Sequence, residues 1–145
     1  MGRAEAERRL HDELDRSARR SVVESGYRSF LTLNRPLLEA MTDWQVRDGV
    51  VNGHADPEYD RRIVDRLGRI NEKITAVLSD LAACLERYDG YRGRLDAAIE
   101  RAATGDRTYV DGALIDSYHT VWFEPHEDLL ATLGLDRSQE NPEVL

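Results

Sequence analysis

The segment from Ser117 to Gly134, SYHTVWFEPHEDLLATLG, gathers the residue types with the most chemistry in this chain. His119 and His126 stand seven residues apart, so on a helix they project from nearly the same face. Trp122, Phe123, Leu130 and Leu133 share that face by the same periodicity. A polar pair inside an apolar stripe allows three readings. The first is a metal site, with two imidazoles and an acid such as Glu124 or Glu127 completing the ligands. Its spacing is unfavourable: metal-binding helices place ligands at i, i+3 or i, i+4, whereas seven residues span about 10 Å of axis. The second is a satisfied core, in which each imidazole donates to a carbonyl or a carboxylate. Pro125 has no backbone donor, so the Val121 carbonyl is available for such a bond. The third is a small-molecule pocket with aromatic walls and a few polar handles. Its candidate lining is Tyr118, His119, Trp122, Phe123 and His126, with Trp44 and Tyr59 added if their helices pack nearby. A histidine in such a pocket would make binding depend on pH.

Other chemistries find little support. The serines, including Ser17, Ser21, Ser25, Ser29, Ser79, Ser117 and Ser138, sit in no nucleophile elbow. There is no glycine-rich phosphate loop. The acids lack the repeated Glu-x-x-Glu and Glu-x-x-Asp pattern of all-α nucleotide pyrophosphohydrolases. Cys84 falls on an apolar stripe and reads as a small buried hydrophobe. His54 reads as a loop residue beside a helix cap, placed to close over a pocket. No catalytic residue, no metal ligand and no cofactor is assigned.

The elements that position these residues read as helices throughout, with no strand pattern. Ala4 to about Glu24 is a charged first helix with a thin stripe of Leu10, Leu14, Ala18 and Val22, and Gly26 is a plausible stop. Tyr27 to Val46 is a second helical region, with a kink or restart expected near Pro36. Arg47 to Asp56 is a loop holding the turn pairs Asp48-Gly49 and Asn52-Gly53, and Asp56 caps a helix that opens with Pro57. From Pro57 to Tyr88, Ile63, Leu67, Ile70, Ile74, Val77, Leu81, Cys84 and Tyr88 form a heptad seam. Val64, Leu78 and Leu85 widen it, which favours the spine of a bundle over a two-chain coiled coil. The final aromatic helix is expected to close against this ridge. Asp89-Gly90 is read as its end, followed by a helix from Tyr91 to Ala103 and a loop from Thr104 to Gly112. A last helix from Leu114 to Leu133 bends at Pro125 and stops at Gly134.

The expected fold is therefore all-α: a mostly antiparallel bundle of about five helices with one long central helix. The 145 residues make one domain, with residues 1–25 as a charged connector or dimerisation helix and 135–145 as a loose acidic tail. A net charge of −8 opposes non-specific binding to nucleic acid or to an anionic membrane. No apolar run is long enough to span a bilayer, and the N-terminus lacks the apolar core of a secretory signal. A single cysteine excludes an internal disulfide, and a cytoplasmic setting is expected.

The opening GRAEAERRLHDELD resembles the segment that follows the wing in MarR-type winged-helix regulators, with Gly2-Arg3 at the end of the wing. The segments SFLTLNRPLLEAMTDWQVRDG, NGHADPEYD and DSYHTVWFEPHEDLLATLG resemble helical domains found after such modules in actinobacterial regulators. The winged helix itself is not in this sequence, and Pro125 stands where similar sequences carry an aliphatic residue. The resemblance implies a non-enzymatic ligand-sensing or dimerisation domain of a transcriptional regulator. It implies a homodimer and a small-molecule effector as partners, and no direct nucleic-acid contact by this chain. The alternative from another class is a stand-alone metal-binding bundle, or a metal-dependent enzyme, that uses His119 and His126 with nearby acids.

Overall fold

The computed structural model describes residues 2–135, without the side chains of residues 7–15 and 17. Leu10 and Leu14 of the thin first stripe, and nearly all of the expected acidic tail, lie outside the described residues. The elements in chain order are α1 (Arg3–Gln45), β1 (Val46–Arg47), β2 (Val50–Val51), α2 (Pro57–Ala82), α3 (Tyr88–Ala103), α4 (Thr108–Asp111) and α5 (Tyr118–Leu133). The chain is a helical bundle, as its periodicity predicts.

The two N-terminal helices expected from the sequence are one. α1 runs 43 residues through both Gly26 and Pro36. Gly26 is not a stop but a crossing point: a Cβ there would lie 2.7 Å from Leu81 Cδ2 on α2. Only glycine lets the two helices approach so closely. Pro36 is exposed, and so is Thr32, whose carbonyl loses its intrahelical donor. That carbonyl lies on the solvent face, so the interruption is tolerated.

α2 is shorter than its seam. It ends at Ala82, and Leu81 to Tyr88 forms a tight turn before α3 begins. Asp89-Gly90, read as the end of a helix, instead lies in the first turn of α3. Tyr88 keeps its core position and is fully buried. The longest helix is therefore α1, although α2 stays between α1 and α3. Asp56 caps α2 by accepting from the Glu58 and Tyr59 amides, with Pro57 at the first position. Arg47 adds a bond to Asp56, and these donors together hold the Asp56 carboxyl below its ordinary range. α5 ends at Gly134 (φ 70°), where the Leu135 amide reaches back to the Leu130 carbonyl.

Each of the four long helices packs on two of the others in the cyclic order α1–α2–α3–α5, and the short α4 sits against α3 and α5. The aromatic helix meets the Ile63–Tyr88 segment through the Tyr118–Asn71 and Tyr88–Asp128 hydrogen bonds, but its main packing lies elsewhere. α5 docks on α3 and α1, and α2 lies diagonally across the core from it. Bulky buried groups on all four helices, among them Phe30, Leu37, Leu67, Ile74, Leu95 and Leu129, fill the centre. Against the strandless expectation, β1 and β2 make a small antiparallel hairpin, Val46 facing Val51. Its turn is Asp48-Gly49, both with positive φ (53° and 80°), as a two-residue hairpin turn requires. The loop expected at Thr104–Gly112 holds the one-turn α4, with Val110 buried as its anchor. No helix among the described residues is long and apolar enough to cross a membrane.

Candidate functional site

The aromatic–histidine helix spends its polar groups inside the bundle. Trp122 is 2% exposed, and its indole N–H donates to Asn34 Oδ1 at 3.0 Å. The Tyr118 hydroxyl donates to Asn71 Oδ1 at 3.0 Å, and the Asn71 amide donates to Asp96 at 2.7 Å. Burial, with the Asp96 charge adding to it, pushes the Tyr118 phenol far up from its ordinary range, so it remains a donor. The Phe30 ring lies 4.9 Å from the Trp122 ring and 5.2 Å from His126, which is buried. Phe123 is 47% exposed and points off this face, while His119 is half-buried. Buried asparagines on α1 and α2 thus hold α5 in place.

A second polar cluster ties α5 to α3. Asp128 accepts from Arg87 through two nitrogens at 2.8 Å, from Tyr91 at 2.7 Å, from Thr132 at 3.0 Å and from Tyr88 at 3.1 Å. Burial alone would raise the carboxyl, but these donors outweigh it and hold Asp128 down at about 2. Burial pushes Tyr88 up to about 12. Glu124 joins Asp116 in gripping Arg94, at 2.6 Å and 3.0 Å, rather than turning toward a histidine. Among the described residues, no group of three or more His, Cys, Asp or Glu side chains is arranged to hold a metal ion.

Trp44 and Tyr59 do not join this helix. Trp44 lies ten residues along α1 from Asn34, roughly 15 Å of helix axis. Tyr59 is half-buried, donates to the Asp43 carbonyl at 2.7 Å and carries the Arg47 guanidinium 4.1 Å above its ring. The single pocket expected from the sequence is thus divided, and Trp44 belongs to a different constellation.

That constellation forms where the chain leaves the hairpin. Asn52 is buried; its side-chain amide donates to the Trp44 carbonyl at 2.9 Å, and its Oδ1 accepts the His54 backbone amide at 3.1 Å. The turn this makes sets His54 in the left-handed region, φ 57°, which costs a non-glycine residue about 1–2 kcal/mol. So held, His54 stacks against Trp44 at 4.5 Å between ring centres. Its Nδ1 lies 3.0 Å and 3.1 Å from the two oxygens of Asp60, on the first turn of α2. A carboxylate only accepts, so the Nδ1 nitrogen carries the proton of this bond. Asp60 is 7% exposed. Across from them, Arg107 donates to the His54 carbonyl at 3.1 Å, and Gln45 at the end of α1 donates to Asp111 of α4 at 2.9 Å.

Beside this cluster a groove of about 390 Å³ opens between α2 and the turn after α3. Its apolar floor is Trp44, Val64 and Ala102, all buried. Asp60, Arg61 and Asp65 flank it on α2, and Gly105 and Arg107 on the facing turn. Residues 57, 60, 61, 64 and 65 recur at helical spacing, so a single face of α2 forms one wall. Gly105 has φ 103°, which only glycine adopts readily, and lets the turn face that wall. The groove is lined by none of Tyr118, His119, Trp122, Phe123 or His126.

A histidine oriented by a carboxylate is the geometry of a general base. Among the described residues the partners of His54 are Asn52, Asp60, Trp44 and Arg107. Sequence reasoning treated His54 as a loop residue and passed over Asp60, Asn52 and Arg107. The available signal was the run NGHADPEYD, in which Asn52, His54 and Asp60 come within nine positions across a capped helix start.

Comparison with protein-family models, with curated proteins and with solved structures finds no match to this chain.

Proposed function

We propose that this chain is a non-enzymatic, ligand-sensing helical domain of a transcriptional regulator, and that its ligand binds in the groove beside Trp44 and Asp60. The observation that carries this reading is the groove lining, in which Trp44 is floor and Asp60 is wall, both held from behind by His54. The groove combines an apolar floor with a buried carboxylate oriented by an imidazole whose backbone is in a costly conformation, within the size range of small-molecule sites. The groove replaces the one proposed from the sequence on α5, whose aromatic groups are committed to the core.

A connector or dimerisation role for the start of α1 accompanies this reading. α1 is roughly 65 Å long at 1.5 Å per residue, against about 39 Å for α2. Its described residues up to Ser21 are all exposed. Trp44, in the groove floor, lies near one end of the same helix that bears the Gly2-Arg3 junction at the other. A ligand that favours one setting of Trp44 thereby acts on α1, provided it binds that setting more tightly. The metal-binding alternative draws no support from His119 and His126, which are gathered with no third ligand among the described residues.

The test is a fragment screen on the whole chain, read by backbone amide chemical shifts. Hits that move the amides of Trp44, Asp60, Ala102 and Arg107 together, and that weaken in His54→Gln, support the reading. Hits confined to α5, or none at the groove, overturn it.

A further inference from the structure

The charges around the groove differ in how far they are already used. Asp60 is committed to His54 and Asn52. Arg61 is committed to Glu58 at 2.6 Å. Two groups remain. Asp65 makes no ion pair or side-chain hydrogen bond among the described residues. Arg107 spends one guanidinium nitrogen on the His54 carbonyl, a neutral partner, and meets no carboxylate among the described residues. The available anion is thus on the α2 wall and the available cation on the turn after α3, with Trp44, Val64 and Ala102 as apolar floor.

We infer, resting on the groove reading above, that the ligand is a small zwitterion with an apolar body, of the amino-acid or short-peptide class. Its ammonium group faces Asp65, its carboxylate faces Arg107, and its side chain covers Trp44. Asp65 and Arg107 are both exposed, so a purely anionic ligand leaves Asp65 to water and a purely cationic one leaves Arg107 to water. Each arrangement forfeits one charge-assisted contact.

Four probes separate the charges while keeping one apolar body: L-phenylalanine, L-phenylalaninamide, N-acetyl-L-phenylalanine and N-acetyl-L-phenylalaninamide. Amide chemical-shift titrations of the full chain should show the zwitterion binding at least tenfold more tightly than each of the other three. Asp65→Asn should bring L-phenylalanine to the level of the N-acetyl acid. Arg107→Gln should bring it to the level of the amide, and Arg107→Lys should recover part of the loss. If the neutral compound binds the groove as tightly as the zwitterion, or the variants leave the preference unchanged, the charge inference fails and the groove reading stands. If none of the four moves the groove amides, the zwitterion inference fails, and the fragment screen decides the groove reading separately.

Discussion

Two tryptophans in this molecule each keep company with a histidine and an asparagine. Trp122 has Asn34 and, through Phe30, His126; Trp44 has Asn52 and His54. In the first set the asparagine carbonyl takes the indole proton, the rings fill the space between α1 and α5, and the apolar packing leaves little freedom. In the second set the asparagine amide binds backbone instead, and the histidine turns to a carboxylate at the edge of a groove. The same three residue types thus serve cohesion in one place and offer a surface in the other. What differs is the backbone around the asparagine: Asn34 is mid-helix, whereas Asn52 shapes a turn whose next side chain but one is forced into a left-handed conformation.

This contrast is sharpest in its largest expected effect. Trp122→Ala should cost about 4 kcal/mol in denaturant unfolding, because it opens a core cavity and leaves Asn34 Oδ1 buried without a partner. Ligand occupancy of the groove in the folded fraction should not change. A cost under 1 kcal/mol would mean that the α1–α5 interface is not the cohesive one.

The acid limb tests the same interface from the α3 side. The folded Asp128 carboxyl titrates at about 2 against an ordinary 3.8. A lowered folded value contributes stability above 3.8 that is lost as pH falls through 3.8 toward 2, on the order of 2 kcal/mol for a side chain only 13% exposed. Unfolding free energy measured at pH 5 and pH 2.5 should differ less in Asp128→Asn than in the unmodified chain. An identical difference would remove Asp128 from the acid response. A smaller effect is expected for Tyr118→Phe, about 1–2 kcal/mol, since Asn71 Oδ1 loses its donor while the ring stays packed.

The smallest effect should come from the other region. His54→Gly relieves left-handed strain of about 1–2 kcal/mol but leaves the buried Asp60 carboxylate with only the 3.4 Å Asn52 contact, so a net loss of about 1 kcal/mol is expected. Groove ligands should nonetheless bind at least several-fold more weakly. A large loss of stability here would class His54 with Trp122 as a cohesive residue.

The periodicity of Ile63, Leu67, Ile70 and Ile74 reveals a bundle helix because burial imposes that spacing on any sequence that folds this way. Asp56-Pro57 and Gly134 mark their helix ends because capping is local chemistry. Gly26, Pro36 and Asp89-Gly90 misled for the complementary reason. Their local preference is to break helices, and what overrides it is tertiary: the approach of Leu81, a solvent-facing carbonyl at Thr32, and the docking of Tyr88. The site was legible in part. Trp44 was named, but its expected partners on α5 pack beside Asn34, roughly 15 Å away along α1. His54 and Asp60 sit six residues apart across a turn, and only the positive φ at His54 brings their side chains together. Phe123 was placed on the buried face by counting turns, yet it lies one position beyond the stripe of Tyr118, Val121, Trp122, Pro125 and His126.

Because α1 is uninterrupted from Arg3 to Gln45 and its buried positions among the described residues begin at Val23, its first twenty residues extend the packed half of the helix as one continuous rod. That rod is roughly 30 Å long at 1.5 Å per residue. The angle at which that rod leaves the bundle is therefore set by the packing of Val23, Tyr27 and Phe30, and not by a hinge within the helix.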